Sequence, residues 1–197
     1  TDYIDAVRCT RSACATLPGN ATVSNKFVVL EYANQSAELY GLDVSGRLPL
    51  ASTGVGDFGL TGVLTYTHGK NRDTDDGLYN IMPLNGKLAL THTLGGWNGG
   101  VEFVAVAAKD DLSDVRNEIK TAGYGLTNLR GSYTWKRVRF DLGVDNLFDK
   151  FYSLPLGGAY VGQGTTMALN PASGNPAWGT AVPGMGRSIY TGLTFKF

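Results

Sequence analysis

Charge, cysteine and long apolar runs are all scarce in this sequence. Only 17% of the 197 residues are charged and the formal net charge is zero, which is not the basic balance of a nucleic-acid-binding protein. No apolar run approaches the length of about 18 residues that a transmembrane helix needs, so a membrane-spanning fold would have to be a β-barrel. The chain starts at Thr1, without an initiator Met or a signal peptide. We therefore expect a mature, trimmed or partial chain.

The two cysteines lie close together in the segment RCTRSACATLPG. Four residues separate Cys9 from Cys14, and the sequence has no other cysteine. A thiolate zinc site is therefore not expected, whereas a small disulfide would form in an oxidising compartment. We predict the disulfide.

Glycine and alternating apolar residues are abundant instead. The 27 glycines are about twice the usual share, and apolar residues recur with a period of two, which places them on one face of a strand. In VRFDLGVD, one face carries Val138, Phe140, Leu142 and Val144, and the other Arg139, Asp141, Gly143 and Asp145. Helical periodicity is not convincing anywhere beyond two turns. The segment AKDDLSDVRNEIK therefore reads as a polar loop.

The alternation predicts eight strands, and the connections between them differ in length. The strands are expected over 1–8, 26–49, 57–68, 82–95, 100–110, 123–136, 138–149 and 186–197. Short turns alternate with long loops, which is typical of an antiparallel up-and-down β-barrel in an outer membrane. Aromatic residues near strand ends, including Trp97 and Trp135, fit the interfacial belts of such a barrel. The predicted fold class is thus an all-β transmembrane barrel.

Two segments resemble a known family. GVDNLFDKFY at 143–152, followed by a long loop and a last strand that ends in Phe197, resembles the carboxyl-terminal signature of TonB-dependent outer-membrane receptors. EYANQSAELYGLDVSGRLPL at 31–50 is similar to another strand of that family. The segments LPLGGAYVGQGTTM and VPGMGRS look like its copper-receptor branch.

The resemblance implies that residues 1–197 are the C-terminal part of a receptor β-barrel domain, about eight strands of a barrel of about 22. The plug domain and the earlier strands are absent from the sequence. The implied function is active transport across the bacterial outer membrane of a scarce nutrient, a metal ion, metal chelate or siderophore, energised by the TonB system. The implied partners are outer-membrane lipid, the TonB complex acting through the absent plug, the barrel-assembly machinery that reads Phe197, and the small ligand.

Loop residues are the candidates for a ligand vestibule. The loop 69–81 carries Asp73, Asp75 and Asp76 in NRDTDDG, and the loop 150–185 carries Tyr160, Met167 and Trp178. The acidic segment lacks the glycine and glutamate positions of a calcium loop and is expected to be solvated. The long loop 150–185 is expected to lack secondary structure of its own and to fold over the barrel mouth on the extracellular side.

Nothing in the sequence indicates catalysis, a cofactor or a metal centre. The histidines His68 and His92 lie in different strands, and the three methionines are scattered, so neither set forms a ligand cluster. No nucleophile with a base and no paired carboxylates are present. We therefore expect a protein that is not an enzyme.

The segment DNLFDKFY has a physical interpretation beside the resemblance. Asn146 and Asp149 are expected to hydrogen-bond local backbone where the chain leaves its strand. Phe148, Phe151 and Tyr152 are expected to anchor this point at the membrane interface.

Two alternatives remain open at this point, and two expectations bear on them. The chain would also suit a self-contained eight-stranded outer-membrane barrel for adhesion or passive diffusion, or a secreted β-sandwich that acts as a binding module. In the preferred interpretation the edges 1–8 and 186–197 do not pair with each other. The apolar side chains Phe140, Leu142, Ile189, Leu193 and Phe195 are expected to face lipid, and Arg139, Asp141, Tyr190 and Lys196 to face the lumen.

Overall fold

The computed structural model describes residues 2–8, 30–116, 118–160 and 179–197, and its regular structure there is entirely β. Its strands are β1 (Asp2–Arg8), β2 (Leu30–Thr53), β3 (Gly56–Asn71), β4 (Asn85–Leu94), β5 (Trp97–Val106), β6 (Tyr124–Trp135), β7 (Val138–Asp145), β8 (Ala159–Tyr160), β9 (Thr180–Ala181) and β10 (Ser188–Phe195). Among these residues, no helix is long and apolar enough to cross a membrane.

Eight of the strands form one antiparallel sheet in the order β1-β2-β3-β4-β5-β6-β7-β10. They correspond to the eight predicted strands, with ends that differ by a few residues. Strands β1 and β10 lie at opposite edges and do not pair with each other, so the sheet is open, as expected. The described strands contain no second large sheet to pack against the first, which is what a β-sandwich requires.

The two ends of this sheet are connected differently. At one end three two-residue turns join successive strands: 54–55, 95–96 and 136–137. Gly95 and Lys136 adopt positive φ values of 57° and 53°, the region that tight hairpin turns use. At the other end the connections are long, over 9–29, 72–84, 107–123 and 146–187. The predicted asymmetry is confirmed.

The burial pattern is the inverse of that of a soluble domain. The buried hydrophobic residues of the described chain are Leu78 and Val106, whereas Asp5, Asn71, Lys109, Ser113, Thr121, Asn128, Ser132 and Asn146 are buried polar residues. Large apolar side chains are exposed instead, among them Leu90 (44%) and Ile189 (69%).

The exposed apolar side chains share one face of the sheet. Leu90 pairs with Leu60 on one side and Val101 on the other, and the predicted residues Phe140, Leu142, Ile189, Leu193 and Phe195 all lie on this face and are exposed. We call it the apolar face. A continuous exposed apolar surface of this kind is expected to contact another apolar medium or partner.

The opposite face, the polar face, carries a connected set of charged side chains. Arg130 lies 2.5 Å from Asp145 and donates to its carboxylate, and its guanidinium lies 5.6 Å from the centre of the Tyr190 ring. Tyr190 in turn lies directly across Gly143, where any side chain would collide with the ring. Asn128 donates to Glu102 over 2.8 Å on the neighbouring strands.

The prediction that the loop 150–185 lacks secondary structure was wrong for its described part. Strands β8 and β9 pair with each other as a separate two-stranded sheet. Leu154 N donates to Val182 O, and Gly184 N donates to Tyr152 O, each over 2.8 Å. The ends of this loop therefore form a hairpin, because their backbone groups need partners that the main sheet does not supply.

Candidate functional site at the long-loop end

Strands β2 and β3 extend beyond β4 at the long-loop end, and a buried amide fixes this extension. Asn71, only 1% exposed, donates from Nδ2 to Gln35 Oε1 at 2.5 Å and to Asp5 Oδ2 at 3.3 Å. Its Oδ1 accepts from the backbone N–H of Asp73 at 3.0 Å. One side chain therefore connects β1, β2 and the start of the loop 72–84.

Asp76 joins the loops 72–84 and 107–123. Its Oδ1 accepts from the backbone N–H groups of Gly77 and Asp114, each at 3.0 Å, and its Oδ2 accepts from that of Val115 at 3.3 Å. Hydrogen bonds from backbone N–H groups to a carboxylate are among the stronger ones in proteins. Asp76 is half-buried, and beyond what the prediction of a solvated acidic loop anticipates, its side chain bonds backbone donors of its own and of a neighbouring loop.

The other two acids of NRDTDDG are exposed and hold the strand extension. Asp73 Oδ2 accepts from Ser36 N at 2.7 Å, and Asp75 lies 2.7 Å from Lys70 Nζ. The hydrogen bond to Asp75 raises the pKa of Lys70. On the same extension, the hydrogen bond from Arg72 lowers the pKa of Glu38. All three predicted aspartates are therefore engaged in holding the loop.

A buried ion pair fixes the loop 107–123. Lys109 and Glu118, whose side chains are 2% and 7% exposed, lie 3.4 Å apart, and Lys109 Nζ donates to Ile81 O at 2.7 Å. Glu118 also accepts from Asn80 N at 2.8 Å and from Ser113 N at 2.9 Å. Nearly all polar atoms of the pair are thus satisfied, which a buried pair requires.

The end of β7 is organised by Asn146, as predicted. Its φ is 51°, its Nδ2 donates to Lys150 O at 2.9 Å and to Met185 O at 3.2 Å, and its Oδ1 accepts from Lys150 N at 2.8 Å. Asp149 was also predicted to bond local backbone, but its Oδ1 accepts from Arg187 N at 2.8 Å, 38 residues further along the chain. The two side chains therefore join the departing chain to the chain that returns toward β10.

The aromatic residues of this segment divide into two groups. Phe148 and Phe151 are 75% and 78% exposed, which fits an interfacial anchor. Tyr152 is half-buried, and its ring centre lies 4.4 Å from that of Tyr124. The prediction that Tyr152 shares the anchoring role was wrong, because the hairpin turns this ring against the sheet.

A cavity of about 190 Å³ lies between the loops 72–84, 107–123 and 146–187. Its wall includes Tyr79, Arg116, Glu118, Leu154, Leu156 and Ala159. Three segments that are distant in the sequence thus meet around one space. Asp76 and the contacts of the Lys109–Glu118 pair hold two of these loops together.

A second, more acidic depression of about 370 Å³ lies beside the first two loops. Its lining includes Lys70, Asp75, Asp110 and His68, whose Nδ1 is 3.6 Å from Asp111 Oδ2. Within the described parts of the chain, no three His, Cys, Asp or Glu side chains are grouped to hold a metal ion.

The other predicted site residues are placed as follows. The backbone of Tyr160 belongs to β8 and pairs with Thr180, whereas Cys9, Cys14, Met167 and Trp178 lie outside the described residues. Phe197 is fully exposed beyond β10. Sequence reasoning missed Asn71, Lys109, Arg116 and Glu118, because isolated polar residues at strand ends and in loops carry no periodic signal.

Comparisons with known proteins identify the class of this fold. The family described as "TonB dependent receptor-like, beta-barrel" matches residues 1–147. The chain therefore belongs to the TonB-dependent receptor β-barrel family. Among solved structures it is similar to the copper transporter OprC, with 29% sequence identity and a TM-score of 0.70.

That similarity covers 86% of this chain and 25% of the OprC chain, so the sequence spans about a quarter of the length of this relative. A search of curated protein sequences gives no match.

Proposed function

We propose that residues 1–197 form the C-terminal part of the β-barrel of a TonB-dependent transporter in the bacterial outer membrane. The observation that carries this proposal is an open eight-stranded sheet with one exposed apolar face. In the proposed barrel the apolar face contacts lipid and the polar face lines the lumen, because a charged side chain at mid-membrane depth costs about 2–4 kcal/mol. Further strands of the barrel would pair with β1 and β10, since an unpaired strand edge is not stable in lipid.

The proposed activity is energy-dependent uptake of a scarce nutrient, and copper is the first cargo to test. The similarity to a copper transporter supports copper, and family membership supports energisation by the TonB complex through a plug domain. Copper is here a substrate in transit. The role of this chain is to supply wall, rim and part of the vestibule at the long-loop end.

Uptake in cells tests the activity. Cells that produce the complete receptor should accumulate more copper than cells without it, and the difference should disappear when the TonB system is inactivated. Deleting residues 157–180 should reduce uptake, while heat-modifiable mobility of the barrel on a gel remains. Unchanged uptake after this deletion would show that the loop only covers the barrel mouth.

The last residue is proposed to direct barrel assembly. Phe197 is exposed beyond β10, and no described residue covers it, so it is accessible to the barrel-assembly machinery that the family resemblance implies. Removing Phe197 should lower the amount of receptor assembled in the outer membrane. An equal amount of assembled receptor would argue against this role.

A further inference from the structure

Arg116 holds a fixed positive charge on the wall of the 190 Å³ cavity. Its guanidinium carbon lies 5.6 Å from the centre of the Tyr32 ring and 5.7 Å from that of Tyr79. Contact with two aromatic rings restrains the plane of a guanidinium and leaves its N–H groups free to donate. The side chain is therefore oriented before any ligand arrives.

Among the described residues, the Nε–H donor of Arg116 is unused. Its ion-pair partner is Asp5, whose Oδ1 is 3.7 Å from Nε, which exceeds a hydrogen-bonding distance. Within the described chain, the buried Nε has no hydrogen-bond partner. A guanidinium has five N–H donors, and a donor without an acceptor is destabilising where water is excluded. An acceptor supplied by a ligand would remove this penalty.

Glu118, the other charged residue on the cavity wall, is already engaged. Its two oxygens accept from the backbone N–H groups of Asn80 and Ser113, and its charge is paired with that of Lys109. Among the described residues, Arg116 therefore remains as the charged group of the wall with an unpaired donor, its Nε–H. The wall also includes the apolar side chains Ile119, Leu154 and Leu156.

We infer that this cavity binds a small carboxylate with an apolar body. The carboxylate would accept hydrogen bonds from Arg116, which matches the planar geometry of that group, and the body would pack against Leu154 and Leu156. A cavity of about 150 Å³ accommodates a benzene ring, so the observed 190 Å³ limits the ligand to about one ring with its acid group. The inference rests on the proposed function, in which the long-loop end receives extracellular ligands.

Calorimetric titration of the complete receptor in detergent with benzoate tests the inference, and benzyl alcohol serves as the probe that lacks the carboxylate. We expect saturable binding of benzoate and at least about tenfold weaker binding of benzyl alcohol. Arg116→Gln should weaken benzoate binding by about tenfold or more. The matched control is Arg72→Gln, since Arg72 is exposed, bonded to Glu38 and absent from the cavity wall. It should leave binding unchanged.

A second variant fills the cavity but keeps the positive charge of Arg116. Leu156→Trp should fill the cavity and abolish benzoate binding, while heat-modifiable mobility shows that the barrel is folded. No saturable binding of benzoate to the unaltered receptor up to about 10 mM would overturn the inference, as would equal affinity of the Arg116→Gln variant. Copper uptake reports on the transport proposal separately, so a receptor that transports copper without binding benzoate contradicts this inference alone.

Discussion

The two ends of the sheet provide hydrogen-bond partners for the backbone in different ways. At the short-turn end, two residues reverse the chain, and the pairing of β4 with β5 continues to Leu94 and Trp97. The backbone ladder there continues up to the turn itself. At the long-loop end the chain leaves the ladder for many residues, and side chains such as Asn71, Asp76 and Asn146 supply the missing partners.

This difference explains where a binding cavity can form. A two-residue turn is too short to enclose a cavity. The long loops, by contrast, are held together by buried polar side chains and meet around the 190 Å³ cavity. The cost of burying Lys109 and Glu118 is offset only when both are fully bonded. The buried Lys109–Glu118 pair therefore holds the loops in place, and these loops form the wall of the cavity.

The largest loss of stability is expected from a charge on the apolar face, midway between the two ends of the sheet. Leu90→Arg places a guanidinium on the apolar face of central strand β4, and we expect a loss of stability of about 2–4 kcal/mol if that face contacts lipid. The matched control is Ala89→Arg, one residue away on the polar face and paired with Glu102, which should change stability far less. Urea titration of the complete receptor, followed by heat-modifiable mobility, measures both. Equal losses would contradict the assignment of the two faces.

Asn146 should be the most sensitive single residue of the long-loop end outside the cavity. Asn146→Ala removes three hydrogen bonds of a buried side chain and places alanine at a φ of 51°, so we expect a loss of about 2–4 kcal/mol. Asn146→Gly keeps the backbone conformation accessible and isolates the loss of the hydrogen bonds. The same urea titration should rank alanine below glycine. A loss below about 0.5 kcal/mol for both would show that this junction is not structural.

Asp76 and Asp75 offer a comparison of a half-buried and an exposed acid in one loop. Asp76→Asn replaces one acceptor oxygen by a donor amide that faces backbone N–H groups, and we expect about 1–3 kcal/mol of local destabilisation. Asp75→Asn should have a much smaller effect on the loop, because Asp75 is exposed and its ion pair with Lys70 lies at the surface. Hydrogen exchange of the amides of Asp114 and Val115 measures the difference directly. Unchanged exchange protection of these two amides in the Asp76→Asn variant would show that Asp76 does not hold the two loops together.

At the short-turn end, the effect of a substitution on stability should depend only on the backbone conformation of the substituted residue. Gly95 has a φ of 57° and open space around its α-carbon, so Gly95→Val meets no collision and its cost of about 1–2 kcal/mol comes only from the left-handed backbone. Gly46→Val is the control, because the same change there also meets open space but at a residue without positive φ. Urea titration that gives equal stabilities for the two variants would contradict this explanation.

The sequence predicted the regular part of the fold better than the loops. Strand positions and faces follow from a period of two, which depends on local residues such as Phe140 and Leu142. The contacts of Asp76 with Asp114 and Val115, and the meeting of Arg116 with Tyr79, join residues far apart in the chain. Such pairs leave no local pattern. The DNLFDKFY segment was predicted in part. Asn146 bonds the nearby backbone of Lys150 as predicted, whereas Tyr152 contacts the distant ring of Tyr124.

The orientation of the two faces is the central claim, and spin labels at adjacent residues of β7 test it most directly. Nitroxides are attached at Phe140→Cys and, separately, at Asp141→Cys in the complete receptor, after Cys9 and Cys14 are replaced by serine. In lipid bilayers, the label at 140 should collide with lipid-soluble oxygen and the label at 141 with a water-soluble nickel chelate. The reverse assignment, or equal accessibility at both positions, would contradict the account.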